Sequence, residues 1–541
     1  MEKHFATLWE SIADTIGDAP AVTHGDLTRS WTEYEDRSAR LAQAMVSAGL
    51  TADSKIGIYL YNCNEYLETQ FAGFKMRAVP VNVNYRYLDE ELWYLLDNSD
   101  AEAIFFHSSL GDRVARVVER LPKLKLIVEV TDGPDHHVAG AIPFEDLVAS
   151  SAPMQRITRS VDDTYMLYTG GTTGMPKGVM YRIGAMTEGF VTGGLPLVGI
   201  APPDDYTGIA PLVKNFADQG ASPISVPSAP LMHGTGVWIG ALVPHSAGGN
   251  VVTMQSRSFS AEELLTTVEN KKVSMTVVVG DAFVKPIIRA IDEAAEKGKT
   301  YDLSSLKIIF SSGVMWSSEV KTQLLDRVEH LVLIDAIGSS EGAMGTSISM
   351  KGLPPQTAKF SMQPTSKVFT DDDREVQPGS GEIGKLAAGG NVPFGYYKDP
   401  EKSAKTFRTI NGVSYSFPGD LAQVAEDGSI ILLGRGSQVI NTGGEKVFPE
   451  EVEEAVKRVA GVLDCLVVGV DDEKFGQAVT AVVSLNPGQT VDEATIISEV
   501  KTQLAGFKAP KRVVFVTTIP RGPNGKADYK AAKEMAVVGL R

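Results

Sequence analysis

Cysteine is nearly absent from this sequence of 541 residues, which contains only Cys63 and Cys465. No Cys-x-x-Cys pair or histidine cluster accompanies either residue, so neither a disulfide framework nor a zinc site is expected. So few thiols are typical of a reducing compartment, and we expect a cytoplasmic location. No apolar run approaches the roughly 18 to 20 residues that a transmembrane segment needs. The amino terminus mixes acids with apolar residues, which predicts an amphipathic helix and not a secretion signal.

Positive charge is also in the minority. The chain has 51 Lys and Arg against 67 Asp and Glu, which gives a formal net charge of −16. Proteins that bind nucleic acid need the opposite balance to hold a phosphate backbone, so no nucleic-acid partner is expected. A small anionic ligand stays compatible with this charge, because a local pocket can be positive on a negative protein.

Short runs of β-branched residues alternate along the chain with stretches of helical spacing, such as the one that follows the helix cap Ser260. Strands that are apolar on both faces predict a largely parallel sheet covered by helices, and hence an α/β fold. The predicted strands include 55–60, 103–106, 126–130, 275–279 and 307–310.

Two changes in composition divide the chain further. Residues 196–230 contain seven prolines and read as one long connection, either a binding loop or a tolerated surface insertion. After Gly436 the pattern becomes that of a small α+β unit, with a helix beginning at Pro449. We therefore predict an N-terminal domain of residues 1–436 and a small, mobile C-terminal domain of residues 437–541.

The most informative segment is Tyr-Thr-Gly-Gly-Thr-Thr-Gly-Met-Pro-Lys-Gly-Val, residues 168 to 179. A glycine-rich loop after a strand exposes backbone N–H groups that can bind phosphate oxygens, and Lys177 adds a positive charge. A P-loop would need Ser or Thr directly after the lysine, whereas Lys177 lies between Pro176 and Gly178. A kinase or ATPase is therefore disfavoured, and the alternative to a phosphate site is a structural turn.

This segment resembles the phosphate-binding signature of the adenylate-forming (ANL) superfamily, which includes acyl-CoA synthetases, firefly luciferase and the adenylation domains of peptide synthetases. Gly170 stands where most members carry serine. The resemblance implies that the segment binds the phosphates of ATP through Thr169, Gly170, Gly171, Thr172, Thr173, Gly174 and Lys177.

Further signatures of the superfamily follow in the expected order. The motif Ile337-Gly338-Ser339-Ser340-Glu341 resembles the one in which a hydroxyl contacts the α-phosphate and the glutamate holds Mg²⁺, a metal that prefers oxygen ligands. Ile337 replaces a commonly aromatic residue. The remaining matches imply nucleotide contacts for Gly313, Gly338, Ser339, Ser340, Asp420 and Arg435, and a catalytic role for Lys526.

The resemblance implies a reaction in two steps, with ATP, Mg²⁺ and coenzyme A. An acid first attacks ATP to give acyl-AMP and pyrophosphate, with Lys526, Glu341 and Lys177 as the catalytic residues. Rotation of the C-terminal domain about Ser437 then withdraws Lys526 and opens a channel for the CoA thiol near Gly444. Relatives of this kind also make a homodimer possible.

The acid is expected to be bulky or long and hydrophobic, because the segments that would form its pocket are mostly apolar or small. The sequence is closest in character to ligases for steroid side-chain and long-chain acids; medium-chain, aryl and cinnamate-type acids stay open. An acyl-AMP ligase that serves a carrier protein, a luciferase-like oxidation and a non-catalytic nucleotide sensor are competing hypotheses. The predicted pocket residues are His233, Trp238, Ala282, Val314, Met315 and Met344, of which His233 and Trp238 fit a core position equally well.

Overall fold

The computed structural model describes residues 1–133, 138–169, 175–314, 316–353, 355–442, 445–472, 476–522 and 526–539. Helices and strands alternate along most of this chain, as the spacing of its apolar residues predicts. The predicted α/β class is confirmed.

Residues 1–150 contribute a five-stranded parallel sheet, the helices beside it, and the strands β1 and β2 of a second sheet. The helices are α1 (Phe5–Ile16), α2 (Trp31–Ser47), α3 (Asn64–Lys75), α4 (Asp89–Asn98), α5 (Gly111–Val118) and α6 (Phe144–Ser150). The strands are β1 (Pro20–His24), β2 (Leu27–Ser30), β3 (Lys55–Tyr59), β4 (Val79–Asn82), β5 (Ala101–His107), β6 (Leu126–Val130) and β7 (Ile142–Pro143). Strands β4, β3, β5, β6 and β7 pair in that order, all parallel.

Residues 151–300 add a hairpin and the centre of a second sheet. The strands are β8 (Thr164–Thr169), β9 (Lys177–Arg182), β10 (Ile224–Pro227), β11 (Asn250–Thr253) and β12 (Met275–Val278). The helices are α7 (Ile183–Gly189), α8 (Leu195–Leu197), α9 (Ile209–Asp218), α10 (Val243–Ser246), α11 (Ala261–Lys271) and α12 (Asp281–Glu296). Two segments, Phe190–Gly194 and Thr235–Leu242, are π-helical, a form that is often found at functional sites.

Residues 301–436 extend the second sheet. The helices are α13 (Ser318–Arg327) and α14 (Pro400–Thr406). The strands are β13 (Ile308–Ser312), β14 (Val332–Ser339), β15 (Gly342–Ser349), β16 (Lys359–Met362), β17 (Lys367–Phe369), β18 (Gly384–Gly389), β19 (Gly395–Tyr396), β20 (Phe407–Ile410), β21 (Val413–Ser416), β22 (Asp420–Val424) and β23 (Ile430–Arg435). The sheet runs β2-β1-β11-β10-β12-β13-β14-β15-β16-β23-β22-β18-β21-β20, and β19 pairs with β9 in a separate small sheet.

Residues from 437 onward form a sheet of their own. The strands are β24 (Ile440–Thr442), β25 (Glu445–Val447), β26 (Val462–Asp472), β27 (Gly476–Leu485) and β28 (Arg512–Phe515), and the helices are α15 (Pro449–Lys457), α16 (Glu493–Gln503) and α17 (Tyr529–Gly539). A short 3-10 turn, Gly436–Gln438, connects β23 to this unit. The domain boundary at residue 437 stays a prediction.

An extensive apolar cluster joins the first sheet to the second. Helices α1 to α3 contribute large, fully buried rings to it, and both sheets contribute aliphatic side chains. The buried rings include Phe5, Trp9, Trp31 and Phe71. This packing aligns the carboxyl ends of the parallel strands of the two sheets, which is where ligands bind in open α/β folds.

Two expectations from the sequence were wrong. Residues 196–230 are not one long connection, because they contain the ten-residue helix α9 and the central strand β10. Pro211 lies in the first turn of α9, where a missing N–H costs no hydrogen bond. The second sheet is parallel from β11 to β14, and β15 then pairs antiparallel with β14. The turn between β14 and β15 has only two residues, and so short a turn can join only antiparallel strands.

A buried ion pair supports strand β14. Lys321 on α13 lies 2.9 Å from Asp335 on β14, and both side chains are almost completely buried. Burial raises the pKa of Asp335 to about 6, and the charge of Lys321 opposes that rise. The positive charge of Lys321 therefore favours the ionised form of Asp335 within strand β14.

We predict that Lys321→Met destabilises the protein by about 3–5 kcal/mol, because it leaves a buried charge without its partner. The thermal unfolding midpoint near neutral pH measures this loss. Lys351→Met is the matched control, since Lys351 forms an exposed ion pair with Asp326. An equal fall in the midpoint for both variants would contradict the prediction.

Candidate active site

The turn between β14 and β15 is fixed by two tyrosines. Its tip consists of Ser340 and Glu341, which lie between the paired residues Ser339 and Gly342. Tyr181 on β9 donates its hydroxyl hydrogen to the backbone oxygen of Ser340 at 2.9 Å. The hydroxyl of Tyr396 on β19 donates to Oε1 of Glu341 at 2.7 Å. Since β9 and β19 belong to one small sheet, that sheet positions the Glu341 carboxylate.

Lys177 lies on the same small sheet. It is the first residue of β9 and pairs with Thr169, the last residue of β8. Its ammonium nitrogen is 3.3 Å from a carboxylate oxygen of Asp399 and 5.7 Å from the ring centre of Tyr396. Tyr396 thus contacts both Lys177 and Glu341. The loop residues Gly170, Gly171, Thr172, Thr173 and Gly174, predicted to bind phosphate, lie outside the described residues.

Asp420 and Arg435 face each other across adjacent strands. They pair directly where β22 begins and β23 ends, with Nε of Arg435 3.5 Å from Oδ1 of Asp420. Burial raises the pKa of Asp420, although the charge of Arg435 lowers it. The charges of Glu341 and Lys526 also act on this carboxyl group. Residues from three separate parts of the sequence therefore meet here.

Lys526 enters this cleft from the C-terminal unit. Its Cε lies 3.6 Å from the point where a Cβ on Gly313 would stand, and Gly313 has a φ of +93°. The loop that carries Lys526 is closed by a 2.7 Å hydrogen bond from the N–H of Gly522 to the Lys526 carbonyl. Arg521, next to Gly522, binds Asp464 at 2.8 Å and anchors the loop to β26.

The surroundings of Lys526 affect its pKa in opposite directions. The residue stays accessible to water, yet the cleft walls desolvate its ammonium group and lower its pKa. The charge of Arg435 acts in the same direction, whereas Glu341 and Asp420 oppose the shift. Such a lysine can approach an anionic ligand while it is held between two carboxylates.

His233 belongs to the site, whereas Trp238 lies at the edge of the core. Burial lowers the pKa of His233 to about 3, and the charges of Lys526 and Arg86 act in the same direction. The imidazole is therefore neutral near pH 7. The indole N–H of Trp238 donates to the hydroxyl of Tyr165 at 2.7 Å, and its ring packs against the apolar cluster between the sheets.

The other predicted pocket residues divide into two groups. Ala282 is exposed and Val314 is half-buried, so both can line an open space. Met344 is fully buried in an apolar cluster with Phe360 and Leu386, so it does not line a pocket. The alternation of β15 exposes its neighbour Ala343 instead. Met315 and Gly444 lie outside the described residues, and Ser437 lies in the 3-10 turn that links the two units.

Sequence reasoning missed several residues that shape this site. Tyr396, Tyr181 and Asp399 hold the catalytic candidates, and Thr235 approaches the same Gly313 position as Lys526. A tyrosine pair after Gly395 was the available signal for Tyr396. It could not be interpreted from sequence, because a hydroxyl that positions another side chain leaves no motif of its own.

Two neighbouring cavities, of about 430 and about 480 Å³, lie where strands of both sheets end. Their linings share Arg86 and Arg257, and Arg113 completes the lining of the second. The guanidinium carbon of Arg257 lies 4.8 Å from the ring centre of Tyr61, and the same side chain forms an ion pair with Asp132. Pro230, which also lines the first cavity, accepts a 3.1 Å hydrogen bond from the N–H of His233. Glu65 and Asp132 also line the first cavity, whereas the lining of the second contains three arginines and no acidic side chain. The cavities therefore adjoin the site, and the second offers it positive charge.

The site suits a magnesium ion that is shared with phosphates. No group of three or more acidic, histidine or cysteine side chains that could hold a metal occurs among the described residues. Mg²⁺ in phosphate-transfer sites commonly takes only one or two carboxylates, and the ligand's phosphates and water supply the rest. Glu341 offers one such carboxylate beside Lys177, so the donor set fits.

Comparisons with known proteins agree with this arrangement. Residues 8–397 match the family model for AMP-binding enzymes, and residues 451–526 match the model for the C-terminal domain of AMP-binding enzymes. The chain belongs to the AMP-binding enzyme family. The matched ranges contain the turn with Glu341, Lys177 and the loop that ends at Lys526.

Relatives of this AMP-binding enzyme are CoA ligases. A 3-oxocholest-4-en-26-oate–CoA ligase of Rhodococcus rhodochrous is 40% identical, over 100% of this chain and 97% of its own length. A medium/long-chain-fatty-acid–CoA/3-oxocholest-4-en-26-oate–CoA ligase of Mycobacterium tuberculosis is also 40% identical, over 98% and 96% of the two chains. The crystal structure of the anthranilate CoA ligase AuaEII with anthranoyl-AMP superposes with a TM-score of 0.85 at 20% identity and covers 100% of this chain and 99% of that one.

These findings confirm the main functional predictions. The AMP-binding enzyme is an AMP-forming ligase of the acyl-CoA synthetase type, which uses ATP, Mg²⁺ and CoA. Its fold is that of the superfamily, with a large N-terminal and a smaller C-terminal part. None of the helices in the described residues is both long and apolar enough to cross a bilayer.

We predict that Tyr396→Phe slows adenylation by about 10- to 100-fold, because a hydrogen bond to a charged group contributes about 1.5–3 kcal/mol. Burial and the charge of Glu341 raise the pKa of Tyr396, so the hydroxyl stays a donor at physiological pH. Pyrophosphate release at a range of Mg²⁺ concentrations measures the effect. Tyr301→Phe, in a different apolar cluster, is the control and should not change the rate.

Proposed function

We propose that this enzyme activates a bulky or long hydrophobic carboxylic acid with ATP and transfers the acyl group to CoA. The observation that carries the proposal is the position of Lys526, which reaches from the C-terminal unit to Gly313. There it lies within the electrostatic reach of Glu341, Asp420 and Arg435. A ligand that only had to be bound would not need a lysine from a second unit.

In the first step, a carboxylate oxygen of the acid attacks the α-phosphorus of ATP, and the bond to pyrophosphate breaks. Lys526 would bridge the attacking carboxylate and the α-phosphate, where negative charge accumulates. Lys177 would bind the leaving pyrophosphate, and Asp420 with Arg435 would orient the ribose. A Mg²⁺ ion held by Glu341 would supply neutralising charge to the phosphates.

In the second step, the CoA sulfur attacks the acyl carbonyl and AMP leaves. Lys526 would stand beside this carbonyl group after the first step, so we propose that the C-terminal domain of residues 437–541 rotates away first. Gly436 and Ser437 lie in the short 3-10 turn that links the units, which supports this position for the hinge.

The acyl chain would lie along an apolar face of the second sheet. Strands β12, β13 and β14 place side chains in register on this face, and the carboxyl end of each strand points toward the adenylation site. Half-buried apolar residues of that face and of the helical segments above it are Leu197, Val198, Ile239, Ile308, Val332 and Ala336. An aliphatic lining fits a steroid or long alkyl chain, as in the relatives' named acids.

The arginine-lined cavities fit the other substrate. Arg86 and Arg257 would bind the phosphates of CoA at the second cavity, whose lining contains no acidic side chain. We place the reaction in the cytoplasm, with the free, buried Cys63 and Cys465 as support, and the resemblance adds a homodimer as a further proposal. Medium-chain acids, and transfer to a carrier protein, are the alternatives to be tested.

The decisive experiment incubates the protein with ATP, Mg²⁺, CoA and a panel of fatty, aryl, phenylpropenoic and steroid side-chain acids. We expect AMP, pyrophosphate and an acyl-CoA by mass spectrometry, with Lys526→Ala at least about a hundredfold slower in pyrophosphate release. Lys530→Ala, an exposed lysine on α17, is the control. Acyl-AMP without thioester would favour a carrier protein, and no pyrophosphate with any acid would contradict the proposal.

For the second step we predict that Arg86→Ala raises the KM for CoA about tenfold, because a charged hydrogen bond to phosphate is lost. Pyrophosphate release without CoA should be unchanged. Arg120→Ala is the control, since Arg120 forms an exposed ion pair with Glu90 and does not line either cavity. An equal loss of both activities in Arg86→Ala would argue against a CoA site.

A further inference from the structure

A carboxyl group lies against the strand that ends in Arg435. Glu450, in the first turn of α15, places Oε2 2.1 Å from the point where a Cβ on Gly434 would stand. Gly434 therefore leaves space that the carboxyl group occupies, and it directly precedes Arg435 on β23. Oε2 of Glu450 is buried and has no hydrogen-bond partner within the described residues. A C-terminal helix thus contacts the N-terminal unit beside the Asp420–Arg435 pair.

We propose that Glu450 is a positioning residue for adenylation: its carboxyl group docks α15 on β23 and thereby keeps Lys526 in the cleft. This inference rests on the proposed two-step function. A second contact between the units runs from the Lys285 ammonium group on α12 to the Leu463 carbonyl at 2.7 Å, and the charges of Lys285 and Asp281 there also act on the largely buried carboxyl group of Glu454 on α15. Docking therefore rests on more than the contact of Glu450, so variants at Glu450 have to be compared within an otherwise unchanged interface.

The surroundings of Glu450 disfavour its charge. Burial raises the pKa of Glu450 to about 8, the negative charges of Glu453 and Asp420 add to the rise, and the backbone N–H of Arg435 opposes it. On α17, burial and the negative charges of Glu453 and Glu450 raise the pKa of Tyr529. These groups, from α15, β22, β23 and α17, surround the carboxyl group.

The sign of the pH dependence follows from this environment. Once the domain rotates, Glu450 is in water and ionises as an ordinary glutamate, whereas in the docked form it retains its proton to a higher pH. Docking therefore takes up a proton, and it weakens as the pH rises between the ordinary pKa of glutamate and about 8. Near neutral pH the docked form would hold only loosely, which helps Lys526 to leave before the thiol attacks.

The test measures the two steps separately in the full-length protein. ATP–pyrophosphate exchange, with dodecanoate or the best acid of the panel, reports adenylation, and transfer from preformed acyl-AMP to CoA reports the second step. The variants are Glu450→Gln, which is similar in shape and cannot ionise, and Glu450→Ala, which removes the contact. Glu499→Gln, an exposed residue on α16, is the matched control.

We expect wild-type exchange to fall at least about fivefold relative to Glu450→Gln between about pH 6 and about pH 8. Glu450→Gln should also slow acyl transfer, because its docked form opens less readily. In Glu450→Ala, the rate of ATP–pyrophosphate exchange should fall about tenfold, whereas acyl transfer should stay at the wild-type rate. The retained acyl transfer also shows that this variant folds. The inference is overturned if Glu450→Gln keeps the wild-type pH dependence, or if both variants lose the two steps equally. A wild type that lacks both steps with every acid would instead contradict the proposed function.

Discussion

The site depends on bringing one ammonium group from one folding unit into a cleft of another. Lys526 is held on a loop that Asp464 anchors through Arg521, and it reaches a position beside Gly313, whose positive φ favours glycine. Two carboxylates, Glu341 and Asp420, attract it, whereas desolvation and Arg435 act against its charge.

Much of the site could be predicted because the relevant residues are chemically unusual where they stand. A glycine-rich segment ending in Lys177, a hydroxyl before Glu341 and a lysine after a turn are each weak signals, and their order along the chain makes them strong. The strands were predictable for a similar reason, since β3, β5 and β6 are apolar on both faces and are buried within a parallel sheet. In these cases local sequence and final environment agree.

The errors occurred where tertiary structure decides. Met344 is apolar and follows the catalytic turn, and only the alternation of β15 shows that it faces the core while Ala343 faces outward. The helix α9 was hidden by Pro211, which is harmless in a first helical turn but reads as a helix breaker. Tyr396 and Glu450 act through contacts with residues that are distant in sequence, so no local pattern could identify them.

Strand β9 has a consequence for how this protein can vary. Alternate residues of a strand share one face, so Lys177 and Tyr181, four positions apart, point the same way. Tyr181 holds the backbone of Ser340, Lys177 would bind the phosphates, and both are placed by the pairing of β9 with β8 and β19. A substitution that disturbed the pairing of β9 with β8 or β19 would therefore displace both groups together.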